Sequence, residues 1–228
     1  MPEPIDLELG VVGNCQVAAL VDVHARIVWC CLPRPDGDPV FSALLAAHGA
    51  ERASDDGALQ PASAATVART DRAPGLEHPA GVFAIDLSDL AHSEHEYVRN
   101  TAVLTTTLRD TAGNALRVTD FCPRFRSRGR MFRPMTLVRL VEPVAGRPVA
   151  RIRIEPTSQY GAGRPQVRVG SHHLSFASDS LTWRVTTEAS LSSILEGRPE
   201  VIERPVAFVL GPDESLEEAP LSLTRHWL

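Results

Sequence analysis

The sequence predicts an all-β protein: an antiparallel two-sheet β-sandwich of the large, supersandwich kind, with one short helix. Three observations predict it. Short apolar runs rich in Val, Ile, Phe and Trp recur along the chain, with turn residues every ten or so positions. No strand pattern alternates with a long helical pattern, which argues against an α/β fold. Near the N-terminus two such runs, Cys15 to Val21 and Ile27 to Leu32, flank the polar break Asp22-Val23-His24-Ala25-Arg26 and read as a β-hairpin.

The remaining elements follow in chain order. Val40 to Ala47 carries apolar residues at 40, 41, 44 and 45 with Gly49 beyond, the pattern of a short helix with a glycine stop. Residues 49–80 are rich in Ala, Asp, Ser, Arg and Pro, and read as a long loop inside a single domain spanning 1–228. Strands are expected at Gly81–Leu87, Tyr97–Leu108 and Ala115–Phe121, the last two joined through Asp110-Thr111-Ala112-Gly113-Asn114. Met135–Glu142 and Val149–Glu155 are expected to pair across Gly146. Further strands are expected at Gln166–Val169, His172–Ala177, Ser180–Thr187, Ala207–Leu210 and Leu221–Leu223.

The segment LGVVGNCQVAALVDVHARIVWCCLPR, residues 9–34, resembles the pattern LGVIGNCQ-x-AALID-x-x-GRIVWWCLPR. That pattern opens the N-terminal domain of bacterial and archaeal glucoamylase- and trehalase-like enzymes of glycoside hydrolase family fifteen. Gly13, Asn14, Gln16, Ala19, Asp22, Arg26, Ile27, Trp29, Cys31, Pro33 and Arg34 stand where the pattern has them. Ala25 departs from it, where the family turns on Gly. A two-residue type I′ turn needs positive φ, so this departure predicts a longer turn or one of another type. Asp36 with Val40-Phe41-Ser42-Ala43-Leu44-Leu45 is similar to RFDSPxVFARLL, with Pro35 in place of Phe. Val118-Thr119-Asp120-Phe121-Cys122-Pro123 is similar to VTDFMP, and Leu137-Val138-Arg139 through Tyr160-Gly161 to LVRxVE…G…P…DYG. The resemblance implies a β-sandwich that precedes an (α/α)6 barrel, with both catalytic carboxylates in the barrel.

Composition restricts the function classes. The net charge of −5 leaves no electrostatic footprint for nucleic acid. The arginines at 124, 126, 128, 130 and 133 form a local exception, read as a solvated loop rather than an anion site. All 23 basic residues are Arg, so chemistry that needs a lysine is excluded. No apolar run approaches the ~18 residues of a membrane span, and MPEPIDLELG has neither the basic nor the apolar region of a signal peptide. The four cysteines, Cys15, Cys30, Cys31 and Cys122, have no CxxC spacing and read as free, mostly buried thiols of a cytoplasmic protein.

Few chemical constellations survive inspection. His92-x-x-His95, between Glu94 and Glu96, has a spacing that suits neither a helical nor a strand metal site, and reads as a polar loop before a strand. No metal and no cofactor are expected. No GxSxG nucleophile elbow is present. Asp36, Asp38, Asp86, Asp89 and Asp120 are carboxylates that could meet in space, but nothing in the sequence pairs them as glycoside hydrolysis requires. Asp120 reads as a hydrogen-bonded strand-end residue. No residue is therefore assigned a catalytic role. The loop Pro33–Pro39 is the segment placed nearest a partner or a substrate, with Arg34 and Asp36 as its candidate residues. An Arg34 salt bridge to Asp36 or Asp38 is the competing reading.

The function that the family resemblance implies is the non-catalytic N-terminal accessory domain of a trehalase- or glucoamylase-like α-glucoside hydrolase; composition and periodicity alone show only a soluble β domain. Its partner is the parent protein's own C-terminal barrel, which is expected to be absent from this chain, and the α-glucoside is met through that barrel. The resemblance implies that the parent hydrolyses an O-glycosyl bond with inversion at the anomeric carbon, and the 228 residues alone are expected to be inactive. An isolated domain of this kind exposes surface meant to be covered, so self-association is expected. The alternative is a stand-alone carbohydrate-binding or structural, oligomerising sandwich. Sugar platforms use exposed aromatic rings. With three Trp and two Tyr, and with Trp29 and Trp183 in expected core strands, the chain is poorly equipped for one.

Overall fold

The structure, a computed structural model, describes residues 7–45 and 80–228. In chain order the strands are β1 Leu9–Gly13, β2 Ala18–Asp22, β3 Ile27–Cys31, β4 Pro39–Phe41, β5 Val82–Leu87 and β6 Leu90–Tyr97. Next come β7 Leu104–Asp110, β8 Ala115–Phe121, β9 Phe125–Ser127, β10 Arg130–Phe132, β11 Leu137–Ala145 and β12 Val149–Glu155. The last are β13 Gln166–Val169, β14 His173–Ala177, β15 Thr182–Thr187, β16 Glu200–Val201 and β17 Val206–Pro212. Two helices, α1 Leu191–Glu196 and α2 Pro220–Trp227, and a 3-10 turn at Gln159–Gly161 complete the described elements. A seven-stranded sheet runs β1-β2-β3-β5-β12-β16 with β4 on β3, and an eight-stranded sheet runs β13-β14-β15-β17-β11-β8-β7-β6. Their pairings are antiparallel, as the all-β sandwich expectation requires.

Alternation places the core. In β7, Leu104, Thr106 and Leu108 are buried between half-buried Thr105 and Thr107, the period-two signature of a strand with one covered face. The inner faces meet on an aromatic cluster. Trp183 stacks on Phe176 at 4.5 Å and meets Phe41 edge-on at 5.9 Å, and Phe83 meets Phe208 edge-on at 5.4 Å. These offset and T-shaped contacts suit the ring quadrupoles.

The first hairpin forms where expected, with Leu20 opposite Trp29 and Val21 opposite Ile27 across a bulge. Its turn is indeed longer. Asp22 N–H bonds Arg26 O, and Ala25 takes φ 58°. Asp22 Oδ1 accepts from the amides of His24 and Arg26, and its Oδ2 from Arg26 Nε at 2.6 Å. The carboxylate holds the left-handed residue that the family gives to Gly.

Several expectations need correction. Pro39–Phe41 is a strand, and only residues 43–45 of the expected Val40–Ala47 helix are described as helical. Phe41 pairs with Cys30 and packs on Trp183, so a tertiary slot overrides the helical spacing. Met135–Glu142 and Val149–Glu155 do not pair: β11 lies in the eight-stranded sheet and β12 in the other, so Gly146 to Pro148 carries the chain between layers. Residues 92–96 are the middle of edge strand β6, and β7 begins at Leu104 rather than Tyr97. Leu221–Leu223 lies in α2, so more than one helix is present. The arginine-rich 124–133 segment is a β-hairpin, not an irregular loop. Trp29 does lie in a core strand, β3, but its own side chain is only half-buried. The long 49–80 loop, Ala80 apart, lies outside the described residues.

Candidate functional site

Strand polarity brings the distinctive segments of the sequence to one end of the sandwich. The turn 14–17, the loop 32–39, the segment 122–136 and the loop 156–165 all leave their strands there, as pairings and bonds between them show. Asn14 is 2 % exposed and uses its whole carboxamide. Its Oδ1 accepts from the amides of Gln16 and Val17, and its Nδ2 donates to Pro123 O and Pro134 O, each at 2.8 Å. It thereby clasps both feet of the β9–β10 hairpin.

The loop 32–39 begins at a cis Leu32–Pro33 bond. Arg34 and Asp36 form a two-point ion pair, Nε to Oδ1 at 2.9 Å and Nη2 to Oδ2 at 2.6 Å, with side chains 67 % and 69 % exposed. The Arg34 guanidinium, by its hydrogen bond, holds the Asp36 carboxyl below its ordinary range, and Asp36 raises Arg34 in return. The local salt bridge is therefore present, and it stands at the surface.

Asp38 organises the loop opposite. Its carboxylate accepts from the backbone amides of Gln159, at 2.5 Å, and Tyr160, at 2.7 Å. Gln159, Tyr160 and Gly161 take φ values of 53°, 55° and 94°. Two consecutive non-glycine residues in the left-handed region are costly, and such backbone persists where the surroundings over-determine it. Here one carboxylate caps both amides, as in an anion nest. Tyr160 is thereby presented outward, 60 % exposed. Below it, Ser42 Oγ and Thr157 Oγ1 lie 2.6 Å apart, and Thr157 N–H bonds Val40 O, tying this loop to β4. Arg34, Asp36, Asp38 and Tyr160 thus belong to one loop cluster. The sequence marked Arg34 and Asp36 and offered Asp38 only as a carboxylate or a salt-bridge partner of Arg34; it gave Gln159 no role, and Asp38 instead holds the Gln159 and Tyr160 amides.

Two of the other carboxylates are engaged by arginines. Asp120 is fully buried against Arg139, with contacts of 2.7 and 3.0 Å. Arg139 also donates to Phe83 O at 2.8 Å and lies over the Phe83 ring at 4.7 Å. Asp86 takes Arg153 at 2.5 Å on the outer face of the other sheet. Asp89 occupies the β5–β6 turn with φ 53°. Asp86 and Asp120 are thus each committed to an arginine, as Asp36 is to Arg34 and Asp38 to two amides, so none of these four is left as an unengaged acid or base. His92 and His95 lie three apart on β6 and point to opposite faces. Among the described residues no group of three metal-ligating side chains comes together, and no helix is long and apolar enough to cross a membrane.

Comparison with known proteins agrees with the family resemblance. Residues 2–68 match the family described as trehalase-like, N-terminal. A trehalase of Thermoplasma volcanium is 27 % identical over 184 residues, which cover 80 % of this chain and 24 % of the trehalase. The chain therefore spans about a quarter of that relative's length. No solved structure matches. By its N-terminal segment, by a similarity that runs through four-fifths of its length and by its β-sandwich, the chain is similar to the N-terminal domain of trehalase-like enzymes.

Proposed function

We propose that residues 1–228 are one non-catalytic accessory domain of an α-glucoside hydrolase, trehalase- or glucoamylase-like, which supports a C-terminal (α/α)6 barrel outside this chain. In this reading the barrel supplies the inverting acid and base and meets the α-glucoside. The loop cluster around Arg34, Asp36, Asp38 and Tyr160 faces it. Three buried thiols suit a cytoplasmic protein, the compartment we assign.

The observation that carries the reading is the commitment of the carboxylates. Inverting hydrolysis needs an acid and a base about 6.5–9.5 Å apart around a water, each tuned by a formed pocket. Asp36 is locked to Arg34, Asp38 to two amides, Asp86 to Arg153 and Asp120 to Arg139. In the loop cluster Asp38 holds the backbone of the facing loop, while Arg34, Asp36 and Tyr160 stand exposed, an arrangement that suits docking rather than turnover.

The test is glucose release from trehalose, maltose and starch by the purified chain. The expected result is no release above background. Turnover that Asp36→Ala or Asp38→Ala abolishes would show that the sandwich is itself an enzyme.

A further inference from the structure

The β9–β10 hairpin stands outside both large sheets as a two-stranded arm. Its tip, Arg128 and Gly129, has φ 48° and 74°, the left-handed pair of a tight hairpin turn. Arg124, Arg126, Arg128, Arg130 and Arg133 are all exposed, and none of their guanidinium groups has an ion-pair or hydrogen-bond partner among the described residues. The arm is also apolar. Phe125, Met131 and Phe132 are 36 %, 42 % and 43 % exposed. Phe125 stacks on Phe132 at 5.8 Å and on Trp227 of α2 at 6.4 Å. A merely solvated arginine loop has no reason to carry this ledge. Arg, Met and aromatic rings together are the composition of protein–protein contact surfaces.

The complementary charge lies at the other end of the same helix. Between β17 and α2 the chain reads Asp213-Glu214-Ser215-Leu216-Glu217-Glu218, with Glu214, Glu217 and Glu218 exposed. Asp213 is held by Ser175 and Glu218 by Ser222, while Glu214 and Glu217 make no side-chain contact among the described residues. Glu188 Oε1 accepts from Leu221 N–H and fixes the start of α2, and Trp227 fixes its end against the arm. The eight-residue α2 is about 12 Å long, with the acidic stretch before its first turn and the arm against its last. A two-fold axis across the middle of α2 exchanges its two ends, and so sets the end that carries the arm against the end that follows the acidic stretch. This is the self-complementarity that an isologous dimer requires.

We propose that a second copy of this chain docks antiparallel along α2, with the arm guanidinium groups of each copy opposite Glu214 and Glu217 of the other, and with Phe132 and Met131 covered between them. The pairing is reciprocal, so it makes a strong demand on charge-reversal variants.

Sedimentation equilibrium of the 228-residue chain tests it, at about 50 mM and about 500 mM salt, because screening separates surface charge pairs from apolar contact. Three variants are compared: Arg126→Glu with Arg130→Glu, Glu214→Arg with Glu217→Arg, and all four together. The expected result is a dimer that salt weakens, that each two-site reversal weakens at least ~tenfold, and that the four-site variant restores. All four positions are exposed, and restoration in the four-site variant excludes misfolding as the cause of the loss. A wild-type chain that stays monomeric at millimolar concentration overturns the proposal. So does a dimer indifferent to both reversals, or a four-site variant no tighter than the two-site ones.

Discussion

Arg139 and Asp120 are the most consequential side chains in the core. Both are essentially solvent-free, and the guanidinium is divided among a carboxylate, a carbonyl and a ring face. Desolvating two charges offsets most of their attraction, so such a pair adds little net stability, yet removing one partner strands the other. Arg139→Met is therefore expected to lower unfolding stability by about 3–5 kcal/mol in urea titrations, and Asp120→Leu by a similar amount. The double variant is expected to recover most of that loss. If the two losses simply add, the pair is not the coupled unit described. The sequence placed Asp120 in a hydrogen-bonded structural role, and the structure agrees. Its partner was invisible, because Arg139 lies on a neighbouring strand, and register, not spacing, brings the two together.

At the scale of elements, legibility followed the burial of one face. β8 and β12 have the expected bounds because alternating or continuous apolar runs mark them against polar turns; β13 also has its expected bounds, although all four of its residues are exposed. β6 was missed because both its faces are polar. His92, Glu94 and Glu96 alternate with Ser93, His95 and Tyr97, and the latter set is held by contacts such as Tyr97 Oη to Val11 rather than by apolar burial. α1 was missed although its signals were present, Ser190 as N-cap and Gly197 as the left-handed stop. α2 was misread because a remote carboxylate, Glu188, caps it. The loop cluster could be assembled only in space. Asp38 and Tyr160 are far apart in sequence, and no residue type announced left-handed backbone at Gln159.

Strand β3 has its own test. Cys30 and Cys31 are buried in it and Cys122 follows β8, while Cys15 is exposed. Burial pushes the Cys30 thiol well up and Cys122 to about 12, with the Asp120 charge adding to the latter. A thiol reagent is expected to modify Cys15 quickly and the other three only on unfolding. An acid whose folded value lies above its ordinary one stabilises the fold fully below the ordinary value. That contribution is lost as pH rises toward the folded value. Stability is therefore expected to fall between pH about 9 and about 12, and less steeply in Cys122→Ala. Rapid native modification of two or more thiols would contradict the packing of β3.

For the whole molecule, we assign the surface two uses. The 33–39 and 156–165 loops form a firmly held end, which we assign to the catalytic barrel of a longer enzyme. The arm, which rises from that same end at Pro123 and Pro134, and α2 carry the opposite charges that we assign to contact with a second copy. The all-β architecture was readable from composition and periodicity, and the trehalase-like relationship from ordered motifs. The concentration of those motifs at one end was not, because it depends on which strand termini coincide after the sheets pair. The most direct test of the central assignment is hydroxyl-radical footprinting of Tyr160, in the isolated chain and in the parent enzyme that carries the barrel. At 60 % exposed in this chain, its ring should oxidise readily here and several-fold more slowly beneath the barrel. Equal oxidation rates in the two proteins would contradict the assignment of this end as the surface that supports the catalytic domain.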